Sequence, residues 1–301
     1  MITKLDNELK KRPLFLLSVA LLGVLNCLSS QAVYAENTGV KPVATNARHD
    51  GKKFDVSTHK PNFVLPISYN DKPNAADFPY DLDELDQVEM EFQFSLKVLV
   101  TQKLPWETDL FFAYSNHSFW QAYNEDISSP FRDTNHEPEM FTRTPINVYL
   151  GRWHIEDIEL GFVHQSNGRS VPLSRSWNRI YVNIMSNYKD FSFAFKPWYR
   201  LPEKSKDQPL DPIGDDNPDI EDYLGSFEFI SAYHYEGQTF AVTVHPGFGL
   251  KHKGSTEMTW SYPINNGVSV YLKYFYGYGR SLLDYDHKSN AFGIGFSISD
   301  W

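Results

Sequence analysis

Apolar and polar residues alternate along most of this chain with a period of two. In 89–100, Phe92, Phe94, Leu96, Val98 and Val100 share one parity, and Gln93, Ser95 and Lys97 share the other. The same holds for Phe191, Phe193 and Phe195 against Ser192, Ala194 and Lys196, and for Val268, Val270, Leu272 and Tyr274 against Ser269, Tyr271 and Lys273. It recurs for Phe292, Ile294, Phe296 and Ile298 against Gly293, Gly295, Ser297 and Ser299. Successive side chains of a strand point to opposite faces, so each segment has one oily and one wet face. Turn residues between such segments predict twelve strands, at 62–68, 89–100, 109–122, 138–151, 154–166, 176–187, 191–201, 223–236, 238–250, 256–264, 268–281 and 290–301.

Periodicity does not say whether the oily faces meet in a core or face lipid. Connection lengths favour lipid. Short turns at 187–190, 236–238 and 265–267 alternate with longer polar stretches at 69–88, 123–137, 202–222 and 282–289. Short on one rim and long on the other is the pattern of a transmembrane barrel. The carboxylates of 202–222 (Asp207, Asp211, Asp215, Asp216 and Asp219) lack the spacing of a calcium loop and read as a solvated loop. Trp301 is a terminal aromatic, out of phase with Phe292–Ile298.

The first 35 residues stand apart. Lys10, Lys11 and Arg12 precede the short apolar run "PLFLLSVALLGVLNCL" and then "AVYA" before Glu36. This is the layout of a secretory signal peptide cut after Ala35; the run is too short for a spanning helix. Residues 36–60 are polar, have no period and read as a flexible lead-in to a barrel domain at 61–301. Cleavage removes the single cysteine, so the exported chain relies on no disulfide. It also removes four basic and two acidic residues, taking the net charge from −10 to −12 and arguing against nucleic acid as a partner. Mean hydropathy is −0.45, yet an alternating barrel hides its membrane signature in such an average.

The chemistry lies in "GFVHQSNGRS" and the segment after it. Ile158, Leu160 and Phe162 are oily, and the next two residues of the same parity are His164 and Ser166. Beyond the loop, Asn178 precedes Ile180, Val182 and Ile184 on one face. A hairpin centred near Val171 places His164 opposite Asn178, with Cβ atoms about 4.5–5.5 Å apart. Hydroxyl, imidazole and amide then share a face. A serine becomes nucleophilic when a base takes its proton, and the base needs an acceptor to fix its tautomer. Polar groups on a lipid-facing wall are costly and ask for a reason. A passive porin and a soluble β protein are the rival readings.

"HQSNGRSVPLSRSWNRIYV" closely resembles the active-site segment of the outer membrane phospholipase A family. So, in order, do "EFQFSLK", "YSNHSFWQAYN", "SSPFRDTNHEPEMF", "KPWYR", "DDNPDI" and "YGYGRSLLDY" resemble other blocks of that family. The resemblance implies an all-β, twelve-stranded antiparallel barrel in the outer membrane, with catalytic groups on its outer wall near the headgroups. It implies Ser166 as nucleophile, His164 as base and Asn178 as its orienting partner, acting on glycerophospholipid and lysophospholipid esters. It implies a calcium ion held by the Arg169 carbonyl and the Ser174 hydroxyl, with the Ser128 carbonyl coming from the second chain of a homodimer. Asn116 matches a position near the subunit contact where the family has Gln. Val171 stands where the resemblance implies an acidic residue that helps the monomer bind calcium.

Overall fold

The computed structural model describes residues 55–74, 85–208, 210–247, 253–265 and 267–299. The expected signal peptide, the lead-in up to residue 54 and Trp301 lie outside these residues. The strands are β1 (Val56–Thr58), β2 (Asn62–Asn70), β3 (Val88–Leu104), β4 (Thr108–Trp120), β5 (Phe131–Leu150), β6 (Trp153–Ser166), β7 (Ser176–Tyr188), β8 (Phe191–Arg200), β9 (Phe227–Tyr235), β10 (Gln238–Pro246), β11 (Gly254–Asn265), β12 (Val268–Tyr278) and β13 (Lys288–Ser299). From β2 onward each strand pairs antiparallel with the next, and β13 pairs back with β2. The result is the expected closed barrel of twelve staves. Closure is what lets strands cross a bilayer, because every backbone N–H and C=O finds its partner in a neighbouring strand. Among the described residues no helix is long and apolar enough to cross a membrane.

The parity of each strand decides what faces lipid. Phe94, Leu96, Leu160, Phe296 and Ile298 are 49 to 62% exposed on the outer wall. Glu89, Glu91, Lys97, Arg132 and Lys273 are buried in the bore. Charge inside and hydrocarbon outside is the inverse of a soluble protein and excludes the reading in which the oily faces form a core. Aromatic pairs band the short-turn end, with Trp153 stacked on Phe193 at 5.0 Å and Phe191 against Tyr233 at 4.8 Å. Such amphipathic rings suit the membrane interface.

Three departures from the sequence reading bear on how the barrel wall is built. First, the lead-in does not extend to residue 60. Val56–Thr58 pair with Leu96–Val98 on the edge of β3 that β2 leaves vacant, so β1 and β2 make one interrupted stave. His59 and Lys60 point inward, where His59 Nε2 lies 3.0 Å from Glu139 Oε1 and Lys60 Nζ donates to Glu137 Oε1 at 2.7 Å. Second, β5 begins at Phe131 rather than 138. Arg132, Asp133 and Asn135 are polar because they face the bore, not because they form a loop. Third, Tyr223 and Leu224 belong to a short helix, α1 (Ile220–Leu224), and β9 starts only at Phe227.

The bore is filled. Glu89 accepts from Arg132 Nε at 3.0 Å and from Arg280 Nη1 at 2.8 Å. Glu91 accepts from Arg280 Nη2 and Lys273 Nζ, both at 2.8 Å, and Asp284 accepts from Arg132 Nη1 at 2.8 Å. Phe111, Phe141, Trp177, Tyr181 and Trp198 pack beside these charges in one buried cluster. The remaining space includes a cavity of about 830 Å³ at the short-turn end and one of about 200 Å³ among the charged side chains. A water-filled porin channel is not what this interior provides.

Buried charges are tolerable only while paired, and removing one partner typically costs about 3–5 kcal/mol. Arg132→Met should therefore lower the unfolding free energy in detergent by about that amount, read as a shifted urea midpoint. Asp284 sits in the β12–β13 connection. Burial would raise its pKa, but Arg132, Arg280 and the Ser281 hydroxyl overcome that and hold it below the ordinary carboxylate value. Its contribution to stability is present above that ordinary value and is lost as the pH falls through the depressed one. Asp284→Asn should flatten the acid limb of the stability–pH curve and lower the neutral plateau.

Candidate active site

The β6–β7 hairpin rises to the long-loop rim, and its outward row changes character there. Leu160, Phe162 and Ile180 are exposed on the wall, while the inward neighbours Val163, Trp177 and Tyr181 are buried. Continuing the outward row places His164, Ser166 and Asn178 on the lipid side, in keeping with their parity. The register pairs His164 with Asn178 and Ser166 with Ser176.

His164 Nδ1 lies 2.9 Å from Asn178 Oδ1. The amide cannot be turned the other way without loss, because Asn178 Nδ2 donates to Glu203 Oε1 at 3.2 Å. The Leu201 amide adds a hydrogen bond to the Asn178 carbonyl at 2.8 Å. With Oδ1 facing the ring, Nδ1 carries the proton and Nε2 keeps its lone pair for use as a base. Glu203 is invisible to a reading of the sequence: it is a loop residue just beyond β8, and no spacing ties it to Asn178. Ser166 lies on the same face two residues from His164. No hydrogen bond joins its hydroxyl to the imidazole among the described residues. Such contacts often tighten only when substrate is bound.

The loop 167–175 is shaped by Asn167, a buried side chain. Its Oδ1 accepts from the Arg175 amide at 3.0 Å and the Arg169 amide at 3.3 Å, and its Nδ2 donates to the Leu173 carbonyl at 2.9 Å. Arg169 reaches across to β5, donating to the Phe131 carbonyl at 2.5 Å and the Arg132 carbonyl at 2.9 Å. Ser174 Oγ donates to Asp216 Oδ2 at 2.6 Å. Asp216 also pairs with Lys206, Asp215 pairs with Arg200, and Asp219 accepts from the Tyr285 hydroxyl. The acidic stretch of 202–222 is therefore partly structural rather than simply solvated, and its β8–β9 connection folds over the β6–β7 loop.

Arg169 and Ser174 thus share one loop, and Val171 lies between them. Ser128 sits on the β4–β5 connection, with φ of +61° and its amide donating to the Glu125 carbonyl at 3.4 Å. Among the described residues no three His, Cys, Asp or Glu side chains converge as a metal site. The expected ligands are of another kind, a hydroxyl and carbonyls, and Ser174 already touches the carboxylate of Asp216. Oxygen donors of this sort suit a hard cation such as calcium. Asn116 on β4 is held within its own chain: Ser118 Oγ donates to its Oδ1 at 3.0 Å, and its Nδ2 lies 3.4 Å from His136 Nδ1.

A family model described as phospholipase A1 matches residues 41–298. The chain belongs to the phospholipase A1 family. It is 31% identical over 282 residues to the phospholipase A1 of Escherichia coli strain K12, a match that covers 89% of this chain and 94% of that relative. Its fold is similar to that of the outer membrane phospholipase A of E. coli, solved as an active-site mutant with an asparagine replaced by alanine. There the TM-score is 0.76 at 30% identity, over 84% of this chain and 95% of that one. The Salmonella typhi outer membrane phospholipase, solved as a dimer with bound calcium, gives a TM-score of 0.75 at 30% identity, over 82% and 93%. Fold and family together make this chain an outer-membrane β-barrel enzyme of the phospholipase kind.

Asn167→Ala should release the two amides its side chain binds. Hydrogen exchange at Arg169 and Arg175 should accelerate markedly, with exchange in the middle of β6 and β7 unchanged.

Proposed function

We propose that this chain is a calcium-dependent, homodimeric phospholipase that hydrolyses the acyl esters of glycerophospholipids and lysophospholipids through Ser166, His164 and Asn178. The observation that carries this reading is the 2.9 Å His164–Asn178 contact on the outward, lipid-facing row that also bears Ser166. A porin needs neither an outward imidazole nor a bore packed with ion pairs.

In the proposed reaction a phospholipid lies against the wall, its chains along Phe162 and Leu160. The Ser166 oxygen attacks the ester carbonyl carbon as its proton passes to His164 Nε2. The Asn178 oxygen holds Nδ1–H and so keeps the base in the useful tautomer. That oxygen is neutral, and it stabilises the imidazolium less than a carboxylate would; Glu203, bound to the far side of the same amide, brings negative charge behind it. The tetrahedral intermediate collapses, the C–O bond to glycerol breaks, and His164 returns the proton to the departing lysophospholipid alkoxide. Water, deprotonated by His164, then cleaves the acyl-serine and releases the fatty acid.

A bound calcium would supply electrophilic stabilisation of the developing oxyanion. The residues that would hold it are Arg169 through its carbonyl, Ser174 through its hydroxyl and Ser128 through its carbonyl from a second copy. Support comes from the oxygen-rich loop around Ser174 and from the calcium-bound dimer of the S. typhi relative. The asparagine mutated in the E. coli relative's active site supports a role for an asparagine here.

Fatty-acid release from micellar phospholipid tests the reading. Ser166→Ala and chelation should each abolish it, and readdition of calcium should restore it only to the wild type. Full turnover by Ser166→Ala would overturn the nucleophile. Asn178→Ala should lower kcat by roughly ten- to a hundredfold with KM little changed, as expected for an orienting partner.

A further inference from the structure

The outward row that bears Ser166 continues sideways onto β5, where its register partner is His136. A second imidazole therefore flanks the proposed nucleophile, on the side away from Ser176, and no step of the proposed reaction uses it. Its proton position is set by its neighbours. His136 Nδ1 lies 2.6 Å from Tyr114 Oη and 3.4 Å from Asn116 Nδ2. The Asn116 amide is oriented by Ser118, which donates to its Oδ1. An amide nitrogen only donates, so Nδ1 is the acceptor and Nε2 carries the hydrogen. The Tyr114 ring, stacked at 6.2 Å and 26°, holds the plane of the imidazole.

The far edge of the ring faces Gly168. A Cβ built there would lie 3.8 Å from His136 Cδ2 and 4.0 Å from Nε2. Gly168 is two residues rimward of Ser166. A lipid with its ester at Ser166 and its chains along Phe162 and Leu160 would present its phosphodiester at the level of Gly168. The groups against His136 are Tyr114 and Asn116 from β4 and Ser166 and Gly168 from the β6 side. No carboxylate is among them, so an anion meets a donor there without repulsion.

We infer that His136 is a substrate-binding residue whose Nε2–H donates to the phosphodiester oxygen of the bound lipid, selecting phospholipid over neutral glyceride. This rests on the reading of Ser166 as the nucleophile. Non-hydrolysable ether analogues separate binding from turnover. In detergent micelles, the affinity for a dialkyl phosphocholine relative to that for a dialkylglycerol should fall about tenfold in His136→Phe, the loss of one hydrogen bond to a charged group. His136→Gln, which keeps a donor, should restore most of the ratio. An unchanged ratio in His136→Phe overturns the inference. So does an equal loss for both ligands, whether or not cross-linking shows altered self-association. Turnover by Ser166→Ala, run alongside, reports separately: activity there means that the nucleophile assignment has failed, and the binding ratio still decides the role of His136.

Discussion

The closed antiparallel ladder governs everything else in this molecule. In hydrocarbon an unpaired backbone N–H or C=O has no water to turn to, so β13 must return to β2 and each strand must commit one face to lipid. Once that is done, parity becomes address. From Ile158 to the end of β6, even-numbered residues look out at lipid and odd-numbered ones look into the bore; a bulge between Ile155 and Asp157 shifts the phase below that point. The same two-residue period that places Phe162 in the membrane places Ser166 at its surface and Trp177 and Tyr181 inside.

This constraint also explains the unusual distribution of charge. The wet faces of the bore satisfy one another through ion pairs that cross its interior. Arg132 bridges Glu89 and Asp284, while Arg280 bridges Glu89 and Glu91, so strands far apart in sequence are tied through the interior. Such pairs repay much of their own desolvation cost but add little net stability; their main effect is to penalise any arrangement that leaves one charge alone. A closed, internally cross-linked cylinder gives the outer wall a surface on which side chains from β4, β5, β6 and β7 keep register.

The proposed site uses that surface. His164 and Asn178 meet because two strands align them, and Glu203 locks the amide from a loop that the barrel alone does not specify. On the opposite flank, Ser118, Asn116 and Tyr114 settle the tautomer of His136 in the same way. Each imidazole is directed by an amide, and each amide by a third group. Polar side chains on a lipid-facing wall thus come as hydrogen-bonded chains, which lowers the cost of placing them there.

Much was legible from the chain alone. Alternation determined which residues face outward, turn spacing set the hairpin register, and together they placed His164, Ser166 and Asn178 on one face, since strand geometry leaves side chains only two directions. The tertiary structure decided what depends on contacts between distant segments. The partners of Glu89 and Glu91, the inward turn of His59 and Lys60, and the start of β5 at Phe131 depend on how staves meet across the bore. Polar residues look the same to a sequence pattern whether they line an interior or a loop. Glu203 and Asp216 reach the site from a connection between β8 and β9 whose path no local period encodes, because loop placement is set by the rim it packs against rather than by its own residues.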